Sequence, residues 1–181
     1  FPATGSQFGI LDYCGFPKDE AFYLKSWWTD EPVLHIFPHW NLKGHEGETI
    51  DVWAYSNCDE VELIANGKKL GRKTMPVNGH LSWTATYSPG TLKAVGYRNG
   101  KKIIEKKIET TGAAARTTLS ADRNVIAADS RDVAVFTVEV RDSKGRFVPD
   151  ANIDIDVELQ CAGRILGYGN GDPAWQDAER P

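Results

Sequence analysis

A chain of 181 residues, 41% hydrophobic and 25% charged, is long enough for one large or two small globular domains, each with a core of its own. Its formal net charge of −4 argues against a nucleic-acid binder, which needs a basic surface to neutralise phosphates. No apolar run approaches the length that spans a bilayer, and no basic-then-apolar leader opens the chain.

The first 30 residues hold the one good helix signal. Pro17 suits the first turn, where a missing N–H costs nothing, and Phe22, Tyr23 and Trp27 recur at helical spacing. The Glu31–Pro32 step ends it, because a residue before proline is pushed toward extended geometry.

From Val33 to Thr111 the pattern changes to short β-runs. Val33–Phe37 and Thr49–Tyr55 read as strands, and Glu60-Val61-Glu62-Leu63 alternates carboxylates with aliphatics. Asn66-Gly67 and Asn99-Gly100 are each flanked by β-like runs and read as tight type I′ hairpins. His80–Tyr87 and Thr91–Arg98 supply two more strands, for about seven in this stretch, the count of an immunoglobulin-like sandwich. Thr110–Ala115 is a small-residue linker. Beyond it, strands are expected near Thr117–Ala121, Asn124–Ala127, Val133–Arg141, Ile153–Leu159 and Arg164–Tyr168. That is about five where such a sandwich usually has seven, so this second module is expected to be truncated. In Asn152–Leu159 the alternation is perfect, with an aliphatic face to bury and an acidic face to solvate.

The chemistry-bearing residues form no diagnostic motif. Cys14, Cys58 and Cys161 are far apart without a CxxC pair and read as buried thiols rather than metal ligands or a disulfide framework. His35 and His39, with His45 nearby, have zinc-like spacing for a helix, but Pro38 interrupts them and Val33–Phe37 reads as a strand. Asp154, Asp156 and Glu158 are one strand face, which cannot converge the six to eight oxygens calcium needs. No metal and no cofactor are therefore expected. Lys68, Lys69, Arg72 and Lys73 read as solvated cations that keep a hairpin edge from pairing. Six tryptophans are many for this length. Trp27 and Trp28 on the helix, and Trp53 and Trp83 in strands, read as packing residues. Trp40 and Trp175 lie in loop-like contexts and are the candidate sugar-contact residues.

Taken together, several segments resemble a known family. Ser6–Asp19, followed by Tyr23 and Lys25-Ser26-Trp27-Trp28, resembles the last strand and helix of the catalytic (β/α)8 barrel in bacterial family 2 β-galactosidases. Val33–Asn41 resembles the start of the accessory domain that follows, and Val61–Gly71 is similar to that domain's hairpin. Gly163–Pro173 resembles the late part of the next immunoglobulin-like module. The resemblance implies a mainly β fold: residues 1–32 as a remnant of the glycosidase barrel, 33–111 as an immunoglobulin-like β-sandwich, and 112–181 as a second such module. It implies a bacterial parent, periplasmic or secreted, that hydrolyses terminal β-galactosides with retention, using two glutamates about 5–5.5 Å apart. Those glutamates belong to earlier barrel strands, so no catalytic residue is carried over.

The expected role is a non-catalytic accessory region that buttresses the barrel of its own parent chain. A carbohydrate-binding or protein-interaction sandwich is the alternative, and an enzyme in its own right is a third reading. Self-association through the second module is expected; no nucleic acid or membrane partner is.

Overall fold

The computed structural model describes residues 8–160 and 162–172. The order is helix α1 (Asp19–Trp28), then strands β1 (Leu34–Phe37), β2 (Thr49–Ser56), β3 (Glu60–Ala65), β4 (Lys68–Thr74), β5 (Leu81–Thr86), β6 (Thr91–Arg98), β7 (Lys101–Glu109), β8 (Ala114–Ala121) and β9 (Phe136–Asp142). The fold is mainly β, and every strand pairing is antiparallel.

The seven strands from Leu34 to Glu109 form two sheets, three-stranded β1-β2-β5 and four-stranded β4-β3-β6-β7. They are held face to face by the alternation read from the sequence. Leu34 and Ile36, Val52 and Ala54, and Leu81, Trp83 and Ala85 point inward from the first sheet; Val61, Leu63, Leu92 and Ala94 meet them from the second. The hydrophobic effect acting on this shared core closes the sandwich. Both Asn-Gly pairs make the expected turns: φ is 48° and 81° at Asn66 and Gly67, and 51° and 72° at Asn99 and Gly100. Those positive angles match the twist of the flanking strands. Gly96 on β6 has no room for a side chain, because a Cβ there would lie 2.7 Å from Ile104 Cγ2.

Three expectations are corrected. Pro17 lies outside the helix, in a bridge with Leu11; the N-cap is Lys18, and Asp19 and Glu20 place their charge at the positive end of the helix dipole. Of the five strands expected after the linker, β8 and β9 form, but Asn124–Ala127, Ile153–Leu159 and Arg164–Tyr168 take no strand pairing. The aliphatic face of Ile153, Ile155, Val157 and Leu159 is consequently exposed, as are Leu119 at 65% and Phe136 at 57% on the hairpin. Alternation gives a strand two faces, but only neighbours on its edges can satisfy its backbone. Finally, the linker read at residues 110–115 is shorter than expected: β7 ends at Glu109 and β8 begins at Ala114, so only residues 110–113 lie between strands.

Candidate functional site

Two sets of contacts give this architecture a functional geometry: a face on which α1 docks, and a joint between the two β units. The outer face of β1-β2-β5 presents His35, Phe37, Trp53 and Tyr55, the residues out of phase with the core. The helix lies on this row. Phe22 stacks on His35 with centroids 4.0 Å apart and planes 4° apart, and Tyr23 meets Tyr55 edge-on at 5.3 Å. Asp19 Oδ1 stands 2.7 Å from His35 Nε2, and the Tyr23 hydroxyl donates to the Asn78 carbonyl at 2.9 Å. Burial, with the nearby charges of Glu20 and Asp19, pushes the Tyr55 hydroxyl pKa up. Past the helix the row continues as Phe37, Trp53 and His80, with Trp53 and His80 stacked at 4.0 Å.

The joint is built around Trp40 and Asn41. Trp40 is 1% exposed: its ring packs edge-on against Tyr87, and its indole N–H donates to the Ser88 carbonyl at 3.2 Å. This corrects its expected place as a sugar-contact residue, because a buried ring offers no face to a ligand. Trp175 lies outside the described residues. The carbonyl of Trp40 accepts the Thr110 hydroxyl at 2.5 Å. Next to it, the Asn41 amide donates to Thr111 Oγ1 at 2.6 Å and to Asp150 Oδ1 at 2.8 Å, and its carbonyl oxygen accepts the Thr111 N–H at 2.9 Å. One side chain thus ties the first sandwich to the connector and to the second unit.

Asp142 fastens the far side. Its side chain is fully buried and accepts the N–H groups of Gly112, Lys144 and Arg146 at 2.9 Å each, and the Arg146 Nε at 2.8 Å. The Gly112 N–H and its other donors hold this carboxyl far below the usual carboxylate range.

The other residues singled out in the sequence are placed separately. His45 Nδ1 lies 2.9 Å from Glu48, and His39 Nδ1 accepts the Asn41 N–H, so the three histidines do not converge. Among the described residues no three His, Cys, Asp or Glu side chains gather as a metal site. Cys58 is buried, as expected, which pushes its thiol pKa up; Cys14 is exposed, which corrects its reading as a buried thiol, because it sits in the turn before α1 outside the core; Cys161 lies outside the described residues. Sequence reasoning missed Asn41 and Asp142 altogether. An isolated Asn or Asp in a loop carries no periodic signal, and both act through partners far along the chain or in their own turn.

A closed seven-strand sandwich with a helix on its outer face, fastened to a further β unit, defines an immunoglobulin-like accessory architecture. Comparison with known proteins agrees. Residues 118–180 match the family model described as glycoside hydrolase family 2 C-terminal domain 5, and residues 47–104 match a domain of unknown function, DUF4982. The β-galactosidase BoGH2A of Bacteroides ovatus is 45% identical over 96% of this chain and 20% of its own length. A putative β-glucuronidase of Formosa agariphila is 32% identical over 91% of this chain and 16% of its own. The crystal structure of a β-glycosidase from Bacteroides vulgatus superposes with a TM-score of 0.94 at 34% identity, covering 100% of this chain and 24% of that one. The chain is a C-terminal accessory region of glycoside hydrolase family 2, and it spans about a fifth of the length of the curated relatives it matches.

Proposed function

We propose that this chain is the non-catalytic buttress of a retaining β-galactosidase, with residues 1–32 belonging to the catalytic barrel and the β units supporting it. The observation that carries this reading is the one-sided dressing of α1. One side of the helix is docked on His35 and Tyr55, while Trp28 stays 77% exposed and Ile10, Leu11 and Phe16 before it also face solvent. Apolar groups concentrated on the segment that leads into a sandwich are suited to a second protein surface. The helix would then serve two cores at once, fixing the accessory region to the barrel. The galactoside preference follows the more similar relative, named a β-galactosidase; the relative named a putative β-glucuronidase makes the glucuronide the competing substrate. Retention would need two carboxylates held in register by a barrel.

The test pairs two proteins and two substrates. The 181-residue chain alone turns over neither nitrophenyl β-galactoside nor nitrophenyl β-glucuronide, and a parent chain carrying it turns over the galactoside. Turnover by the 181-residue chain that a substitution within it abolishes would refute the accessory role. A parent that prefers the glucuronide would refute the substrate.

A further inference from the structure

The four-stranded sheet is electrically set apart from the rest of the chain. β4, β6 and β7 carry ten of the 21 Lys and Arg residues, and β3 and β7 carry only four of the 25 acidic ones. The sheet therefore has a formal charge of +6 within a chain of −4, leaving −10 for everything else. Segregation of this size creates a local field that attracts anions even to a net acidic protein.

The strand register brings three of those ten cations into one line. Ile64 pairs with Lys69 on one side and Lys93 on the other, and Lys93 pairs with Lys107. Lys69, Ile64, Lys93 and Lys107 thus form a single row across all four strands, about 14 Å long at the usual strand spacing. This row, with Thr91 and Glu105, lines a groove of about 520 Å³ on the sheet, a volume suited to a small ligand. The three ammonium groups lean on carboxylates outside the row: Lys69 on Glu62 at 2.9 Å, Lys93 on Glu105 at 3.7 Å and Lys107 on Glu109 at 3.0 Å. The partly exposed pairs at Lys93 and Lys107 contribute little, so an incoming anion can take those lysines at small cost. Glu62 is the more buried partner, and it keeps the Tyr97 hydroxyl at 3.2 Å if Lys69 is drawn away. Glu105 keeps Lys102 at 2.7 Å if Lys93 is drawn away. From sequence, Lys68, Lys69, Arg72 and Lys73 read as edge protection rather than a ligand site; the row appears only once β6 and β7 are laid beside β3.

We propose that this groove binds an anionic saccharide, lying across the strands with its acidic groups on Lys69, Lys93 and Lys107. Ile64 offers an apolar contact to a sugar ring and the Thr91 side chain a hydroxyl partner, contacts a bare inorganic anion would leave unused. The saccharide nature of the ligand rests on the glycoside hydrolase reading above; the charge row does not. Binding is read without turnover, so failure here leaves the catalytic assignment standing, and the reverse.

The 181-residue chain is run through gels containing polygalacturonate, dextran sulfate or neutral galactan, at low salt and at about 0.3 M salt, where exposed charges are screened. Retardation by an anionic polymer at low salt, lost at high salt and absent with galactan, is expected. Response to polygalacturonate alone assigns a uronate, to dextran sulfate alone a sulfate ester, and to both a site that accepts either. Lys93→Gln with Lys107→Gln weakens binding about tenfold, whereas Lys144→Gln, off this sheet, leaves it unchanged. Should the double variant melt early, Lys107→Gln alone on the edge strand gives a smaller loss in the same direction. Equal retardation by galactan, equal retention by duplex DNA, no response to either acidic polymer, or full binding by the lysine variants would each overturn the proposal.

Discussion

Replacing Asn41 by alanine isolates the joint from the rest of the fold. The change removes the two amide donations, to Thr111 Oγ1 and Asp150 Oδ1, and the acceptor for the Thr111 N–H. An ordinary hydrogen bond contributes about 0.5–1.5 kcal/mol net, and a half-buried N–H left without an acceptor costs about 1–3 kcal/mol. The Asp150 bond is exposed and counts at the low end. The expected loss is therefore about 2 kcal/mol, concentrated where the two units meet. Because β1–β7 close their own core, the loss appears as local opening rather than global unfolding. Amide exchange at Thr111 and Gly112 should accelerate about thirtyfold, since 1.4 kcal/mol is a factor of ten, while exchange of Val61 and Leu92 stays unchanged. Asn41→Asp sharpens the test. It keeps the acceptor for Thr111 but sets a second carboxylate against Asp150, so the joint opens at neutral pH and recloses when Asp150→Asn is added. Unchanged exchange at Thr111 and Gly112 in Asn41→Ala, or failure of Asp150→Asn to rescue, would refute the joint.

Gly96→Ala forces a methyl against Ile104 and the Cys58 thiol, and overpacking of this kind costs about 1–3 kcal/mol, so the melting temperature of the first sandwich falls; an unchanged Tm would contradict the close approach. The carboxyl of Asp142 titrates far below its ordinary value near 3.9. A depressed pKa stabilises the folded state above the unfolded value, and that contribution is lost as pH falls through the folded one. The turn after β9 should therefore stay protected from exchange at pH 4 and loosen only in stronger acid, whereas Asp142→Asn loosens it at every pH. The exposed aliphatics on β8, β9 and residues 153–159 predict concentration-dependent self-association; light scattering that stays strictly monomeric at high concentration would refute it.

The first sandwich was legible because each of its strands carries a local signature. Val61 and Leu63 alternate with carboxylates, and two Asn-Gly pairs fix two registers without reference to anything distant. Trp40 misled for the opposite reason. Its neighbours look like a loop, and only the packing of Tyr87 and Ser88, nearly 50 residues on, buries it. Ile153–Leu159 shows the limit of periodicity from the other side: its pattern is stronger than that of β2, yet no neighbouring strand pairs with it among the described residues. The lysine row was invisible because its members are separated by up to 38 positions and become neighbours through three strand registers.

The joint also fixes an order of events during synthesis. Asn41 reaches Thr111, 70 residues on, and Asp150, 109 residues on. A ribosome adding roughly 5–20 residues per second needs about 2–8 s to travel from Thr111 to Asp150. Small β domains fold in milliseconds to seconds, so the first sandwich has time to close, with the Asn41 amide on Thr111, before Asp150 leaves the exit tunnel. The second unit is thus captured by a finished surface, and the chain's own direction of growth keeps its exposed aliphatic strips away from the first core while that core is still open.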